Sequence, residues 1–473
     1  MVFSSIFFLF RFLPVFLILY FAVPKEYRNL VVLIGSLFFY AYGEPLYIIL
    51  MILSIAVNFS IARKIYSNRR YAARYSRSRD NACKWWLVLA MLYNFGMLFV
   101  FKYLNFFLSI INGIAGSEVV PSVELALPLG ISFYTFQMAS FVADVYKDKY
   151  KIGRSILPFA TYVCMFPQLI AGPIVNYNEV KEELKHREVK FSQIEWGVTV
   201  FIVGFVYKVL LANKIASLWT EVDKIGVYGI NAATAWLASW GYSMQIFFDF
   251  FGYSLMAIGL GHIMGFKFPI NFDDPYTAKS ATEFWRRWHI TLGRWFREYV
   301  YIPLGGNREG MAKMVFNTFV VWALTGLWHG ANWNFIIWGL MYFVLLMIEK
   351  FFLLKYLEKY SILGHLYMMI IIPVGWTVFN ITDLKTLGLY LLRMIGVRFA
   401  EDIGNGMGKF TELFGTYWWL LLICAVCCTP YPMRIVKRYH NTVWVKLVLL
   451  LLFWYGVYQL AMGANNPFLY FRF

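Results

Sequence analysis

Residues 232–258 read AATAWLASWGYSMQIFFDFFGYSLMAI, with a single charged side chain, Asp249, in the whole stretch. A helix rises 1.5 Å per residue and the hydrocarbon core of a bilayer is about 30 Å thick, so roughly 20 such residues cross it. The same apolar texture returns in Phe3–Val23, Leu30–Tyr42, Leu46–Ile61, Trp85–Phe101, Gly197–Ala212, Phe316–Leu327, Asn334–Phe352, Met368–Phe379, Tyr417–Cys428 and Lys446–Met462. These runs predict about 11 membrane helices, the shorter ones tilted, re-entrant or broken. Composition agrees: 60% of the 473 residues are hydrophobic, 21% aromatic and only 15% charged, too little charge to cover a water-facing surface. Mean hydropathy is +0.59. Lipid offers no partner to an open backbone, so the expected fold class is all-α, a multi-pass helical bundle with interfacial and re-entrant helices.

The net charge of +17 does not point to nucleic acid, because the basic residues gather between apolar runs. Arg63, Lys64, Arg69, Arg70, Arg74, Arg77, Arg79 and Lys84 face one acid, Asp80, in a stretch read as a cytoplasmic loop. Three runs precede it, which puts the N-terminus outside. Arg434, Lys437, Arg438 and Lys446 place a second loop inside, and one further run carries the C-terminus outside. Arg11 interrupts Phe3–Val23 and no small-residue cleavage site follows, so that run reads as a retained helix rather than a signal peptide. Cys83, Cys164, Cys424, Cys427 and Cys428 are odd in number and mostly in apolar context, which gives no disulfide framework. The Cys424–Cys428 cluster has no His or carboxylate nearby and reads as structural, so no metal site is expected. There is no internal repeat, no linker to a soluble domain, and no HExxH, P-loop or GxSxG. Residues 1–473 read as a single domain.

The longest polar stretch, 267–315, is the richest in Trp, Arg, Gly and His. Within it Glu283–Val300 reads as one helix. At ~100° per residue, Trp285, Trp288, Leu292, Trp295 and Tyr299 share one arc, and Arg286, Arg287, Arg294 and Arg297 share the opposite side. Such a helix lies in the membrane–water interface. Its arginines either flank a tryptophan anchor or meet an anionic cytosolic donor, such as coenzyme A phosphates or an acidic carrier protein. His289 lies at the edge of the aromatic arc; Pro303 and Gly305-Gly306-Asn307 end the segment.

A second motif, Gly326-Leu-Trp-His-Gly-Ala-Asn-Trp333, interrupts an apolar run. An ionisable ring at membrane depth is costly, and function is its default reading. His329 can serve near neutral pH as base or nucleophile. Gly326, Gly330 and Ala331 leave room for a substrate chain, and Asn332, one helical turn on, can orient the ring or donate to an oxyanion. The competing reading is a structural histidine bonded to a carbonyl. His186 reads as solvated, His262 as core packing, and His365 and His440 as loop-end residues.

With these motifs in view, the chain resembles the membrane-bound O-acyltransferases (MBOAT), and within them the bacterial alginate O-acetyltransferase-like branch. The likeness rests on Phe166-Pro-Gln-Leu-Ile-Ala-Gly-Pro-Ile174, Phe284-Trp-Arg-Arg-Trp-His289, Tyr301-Ile-Pro-Leu-Gly-Gly-Asn-Arg308, the His329 motif and the terminal hexapeptide Phe468-Leu-Tyr-Phe-Arg-Phe473. Phe248-Asp-Phe-Phe-Gly-Tyr-Ser254 and Gly265–Tyr276 add to it. The resemblance implies that His329 is the catalytic histidine and His289 a second, supporting one. It implies helices around a cytosolic tunnel that meets an outer funnel, and Tyr470 as an outward-facing acyl relay. Trp285, Arg286, Arg287, Trp288, Trp328 and Asn332 are the expected substrate-binding residues. No cofactor is expected to stay bound; acetyl-CoA or an acylated carrier protein is the expected donor on the cytosolic side. A serine-hydrolase-like acyltransferase outside is the expected partner, and a polysaccharide the acceptor. Where the branch usually carries Gly-Tyr-Ser-Asp, this chain has Gly252-Tyr253-Ser254-Leu255, an apolar ending shared with D-alanyl transfer to teichoic acid. That transfer is one alternative; a non-enzymatic transporter or export subunit is another. The deep charges Asp144, Asp249 and Lys208 are expected to lack the pairing that a transport pathway needs.

Overall fold

The computed structural model describes residues 1–75, 80–170, 172–404, 406–463 and 469. Among these the regular elements are helical, and the one β pairing is an isolated antiparallel bridge between Phe272 and Trp288. Among the described residues nine helices are long and apolar enough to cross a membrane. They correspond to nine of the eleven apolar runs. The other two form the shorter helices Phe8–Ala22 and Arg28–Gly43, the latter 16 residues long and so short of the ~30 Å core.

The chain divides into two compact units, Met1–Val198 with Ala257–Pro269, and Thr199–Met256 with Ile270–Phe473. In the first unit the rings of Phe3, Phe8, Phe12, Phe16 and Phe39 surround Phe166 with centroids 5.1–6.1 Å away. Phe166 opens the first of the motif stretches, so that stretch is core here. The buried helix Ile131–Tyr146 went unread in the sequence. Ser132, Thr135, Gln137, Ser140 and Asp144 break its apolar pattern yet lie inside. The stretch expected as a basic loop is largely helical: Tyr47–Tyr75 carries Arg63 to Arg74 on its last turns, and Asp80 starts the next helix. Arginine and lysine are good helix formers, and their charge suits a helix C-terminus.

In the second unit the helices Met311–His329 and Trp333–Ile348 form a tight hairpin. A Cβ on Gly326 would lie 2.4 Å from the Phe335 carbonyl oxygen, and one on Gly339 2.5 Å from that of Trp322. The Gly330 position is filled by the Phe335 ring. The room left by Gly326 and Gly330 is therefore taken by helix packing, where a substrate chain had been expected.

Glu283–Val300 is not one helix. It splits into Ala281–Arg287 and Ile290–Phe296, with Trp288 extended and His289 left-handed at φ 46°. Tertiary pairing overrides the periodicity: Asp273 N–H donates to the Arg287 carbonyl, and Ile290 N–H to that of Asn271. Nor does the aromatic side face lipid, since Trp285 packs 4.9–5.3 Å from Tyr342, Trp322 and Trp338. Glu349 fixes the start of this segment. Its buried carboxylate accepts the N–H groups of Ala281 and Thr282 and the Thr282 hydroxyl, where the helix dipole favours a negative charge.

The deep charges do pair. Lys208 Nζ lies 2.5 Å from Asp249 Oδ1, and Lys149 Nζ 2.8 Å from Asp144. Burial forces this, because an isolated ion in a low-dielectric interior costs several kcal/mol.

Candidate active site

His329 is the last residue of Met311–His329 and is 8% exposed. Three aromatic rings stand nearly perpendicular to its imidazole: Trp328 at 5.0 Å, Trp338 at 5.1 Å and Phe379 at 5.1 Å. Each comes from a different part of the unit. Trp328 precedes His329, Trp338 lies on the returning helix, and Phe379 ends the helix Ser361–Asn380. Asn334 ties the last two together. It is fully buried, and its Nδ2 donates to the carbonyls of Val378 (3.3 Å) and Phe379 (2.8 Å). Those carbonyls sit in the last turn of a helix, where no intrahelical N–H reaches them.

His289 stands on the other side of Trp328, 5.9 Å ring to ring, and 4.7 Å from Phe250. Its tautomer follows from Asn271. That Oδ1 accepts from the Thr291 N–H (3.3 Å) and hydroxyl (2.9 Å), which fixes it as the amide oxygen. His289 Nδ1, 3.1 Å from the same atom, must therefore carry a proton and donate it. Nε2 is left with its lone pair and has no hydrogen-bond partner among the described residues. Burial pulls the imidazole pKa down from 6.5 to about 3, so the ring is neutral. The left-handed backbone costs on the order of 1 kcal/mol, which the 271–273 pairing sustains.

Of the residues expected at the site, His329, His289, Trp328, Trp285 and Trp288 belong to one aromatic cluster. Trp285 reaches His329 through Trp338, and Trp288 packs 4.7 Å from Trp376, which in turn contacts Phe379. The indole N–H groups of Trp285 and Trp338 and the Oδ1 of Asn334 are buried with no hydrogen-bond partner among the described residues. Buried polar atoms are rarely left so; these can pair with a bound carbonyl or hydroxyl. Three expectations differ. Asn332 is not one helical turn beyond His329, because Gly330 ends that helix in extended geometry; its Oδ1 instead accepts the Trp333 N–H and caps the next helix. Arg287 is held by Glu283 (2.6 Å) and Thr277 (3.0 Å), leaving Arg286 as the exposed arginine of its helix. Tyr470 lies outside the described residues.

Two clefts open at one end of this unit and share Trp219 and Asn380. The smaller, about 240 Å³, is also lined by Asn213, Glu221, Tyr242, Gln245 and Leu469. The larger, about 370 Å³, adds Asp223, Thr382, Asp383 and Tyr390. Asn380, which lines both clefts, follows Phe379 in the chain. Asn271, Asn334, Phe379 and Trp338 were missed as site residues. Asn271 alone had a signal, lying within the Gly265–Tyr276 stretch.

An imidazole buried among aromatic rings at the end of a membrane-length helix, with a neutral imidazole across one indole, is chemically able to move protons or acyl groups inside a membrane protein. Comparison with known proteins fixes the class. The MBOAT, membrane-bound O-acyltransferase family, profile matches residues 153–393. The chain is 38% identical to the probable alginate O-acetylase of Azotobacter vinelandii and 34% identical to that of Pseudomonas putida, each over 100% of both chains. It is 31% identical to the peptidoglycan O-acetyltransferase of Helicobacter pylori, over 100% of this chain and 98% of that one. The protein belongs to the membrane-bound O-acyltransferase family, and is a multi-pass membrane acyltransferase.

Proposed function

We propose that this acyltransferase takes an acetyl group from a cytosolic thioester, acetyl-CoA or an acylated carrier protein, and passes it across a bacterial cell membrane for O-acetylation of a surface polysaccharide. The observation that carries the reading is the His329 ring, buried in an aromatic cage of Trp328, Trp338 and Phe379 at the end of a membrane-length helix. The imidazole either removes the acceptor proton or takes the acyl group itself. In either route the thioester C–S bond breaks, the thiolate leaves and is protonated, and a C–O bond forms at the acceptor hydroxyl. His289, neutral with Nε2 open, supports that proton traffic, and Trp328, Trp285 and Trp288 bound the acyl group's path. Arg286 meets the anionic donor. Tyr470 receives the acyl group as an aryl ester, and an extracellular serine-hydrolase-like partner completes transfer to sugar.

Charge supports an orientation. The helix Tyr431–Tyr439 carries Arg434, Lys437 and Arg438 beside the end of Met407–Cys427. At the opposite end of that helix Gly406 packs against Asn231, close to the larger cleft at Ile230. Reading that basic end as cytosolic supports an outward-facing position for the clefts. The full-length relatives named for O-acetyl transfer support acetyl over D-alanyl. The test is His329→Ala in cells: acetyl on the surface polysaccharide should fall to background while the protein stays in the membrane. Retained acetylation would sink the proposal.

A further inference from the structure

The Lys208–Asp249 pair is a costly feature for a helical bundle. Both side chains are buried, at 1% and 2% exposure, and apolar residues of like volume would pack there with no desolvation penalty. The pair is not closed on itself. Lys208 Nζ also donates to Asn213 Oδ1 at 2.8 Å, and Asp249 Oδ2 accepts the backbone N–H of Leu469 at 2.8 Å, 220 residues along the chain. Leu469 is itself 4% exposed and, like Asn213, lines the smaller cleft. The bond is charge-assisted and buried, so it is stronger than a neutral one. It is also made to main chain: any residue but proline at position 469 offers the same donor.

We propose that Asp249, held by Lys208, is the anchor that fixes the backbone at Leu469 in the smaller cleft, and so acts as a positioning residue for acyl transfer. The inference rests on the reading of Tyr470 as the acyl acceptor. Tyr470 is bonded directly to Leu469, and consecutive Cα atoms are 3.8 Å apart, so fixing the Leu469 N–H limits the region that Tyr470 has to search. Confinement of that kind lowers the entropic cost of bringing two reacting groups together.

The test uses the full-length protein in detergent with labelled acetyl-CoA, reading CoA release, label on the C-terminal peptide by mass spectrometry, and removal of the tail by carboxypeptidase. Leu469→Pro deletes the N–H, whereas Leu469→Ala trims the side chain and keeps it. The Lys208→Met, Asp249→Leu double variant removes the acceptor while filling the same space. Tail labelling in Leu469→Pro and in the double variant should fall at least tenfold below that in Leu469→Ala, with CoA release falling much less. The tail in both should also be trimmed faster. Equal labelling of the Pro and Ala variants, or CoA release lost in parallel with labelling, would overturn the anchor. If Tyr470→Phe still acetylates glycan, the carrier reading fails, and carboxypeptidase decides the anchor alone: a tail no more accessible in Leu469→Pro than in Leu469→Ala refutes it.

Discussion

Replacing Gly326 by alanine puts a number on how tightly the histidine is placed. The new Cβ would stand 2.4 Å from the Phe335 carbonyl oxygen, where ordinary contact begins at 3.4 Å. The obstacle is backbone and cannot rotate aside, so the helices Met311–His329 and Trp333–Ile348 must part by about 1 Å, with an overpacking cost of about 1–3 kcal/mol. His329 lies one turn beyond Gly326 on the same face, and Trp338 one turn beyond Phe335. The separation is therefore passed to the 5.1 Å contact between the His329 and Trp338 rings. A reacting group misplaced by about 1 Å costs on the order of 100-fold in rate. The assay is acetyl transfer from labelled acetyl-CoA in membranes, normalised to the protein extracted. Gly326→Ala should lose about 100-fold in that assay. Gly388→Ala and Gly415→Ala, on exposed helix faces with nothing within 4 Å, should stay near the parent. A Gly326→Ala enzyme within threefold of the parent (~0.7 kcal/mol) would refute the link from helix spacing to ring placement.

Asn334→Leu strands the carbonyls of Val378 and Phe379, and should lower stability by about 1–3 kcal/mol, seen as an earlier melting transition in detergent, with activity reduced as Phe379 loosens. His289 gives a pH signature. Its folded pKa of about 3 lies below the unfolded 6.5, so its stabilisation is complete above pH 6.5 and declines as pH falls from there toward 3. Melting temperatures at pH 7.5, 6 and 4.5 should therefore fall less in His289→Gln than in the parent; an unchanged slope would contradict a buried neutral ring. Arg286→Glu should raise KM for the anionic donor several-fold (~1 kcal/mol at an exposed site) without moving the melting transition. Arg287→Ala, which loses Glu283 and Thr277, should lower the transition instead, and the reverse pattern would reassign the two arginines.

Lipid-length helices were legible because the bilayer sets a minimum run of apolar residues, and nine of eleven runs met it. His329 was legible for a related reason, since an ionisable ring inside an apolar run needs an explanation. Helix Ile131–Tyr146 escaped because its polar residues break the apolar pattern, while its burial comes from packing against the helices Tyr47–Tyr75 and Asp80–Leu98, of which a local window carries no record.

The amino-acid sequence alone determined that the chain is a multi-pass helical membrane protein, that one histidine interrupts an apolar run, and which family motifs it carries. Those facts depend on composition, run length and local order. Only the tertiary structure decided that the 283–300 helix breaks at His289, that Asn271 sets that ring's tautomer, and that Asn332 caps a helix. It also decided that Lys208 and Asp249 pair and reach Leu469. Each of these turns on contacts between residues far apart along the chain, where hydrogen bonds and burial outweigh the local preferences that periodicity reports.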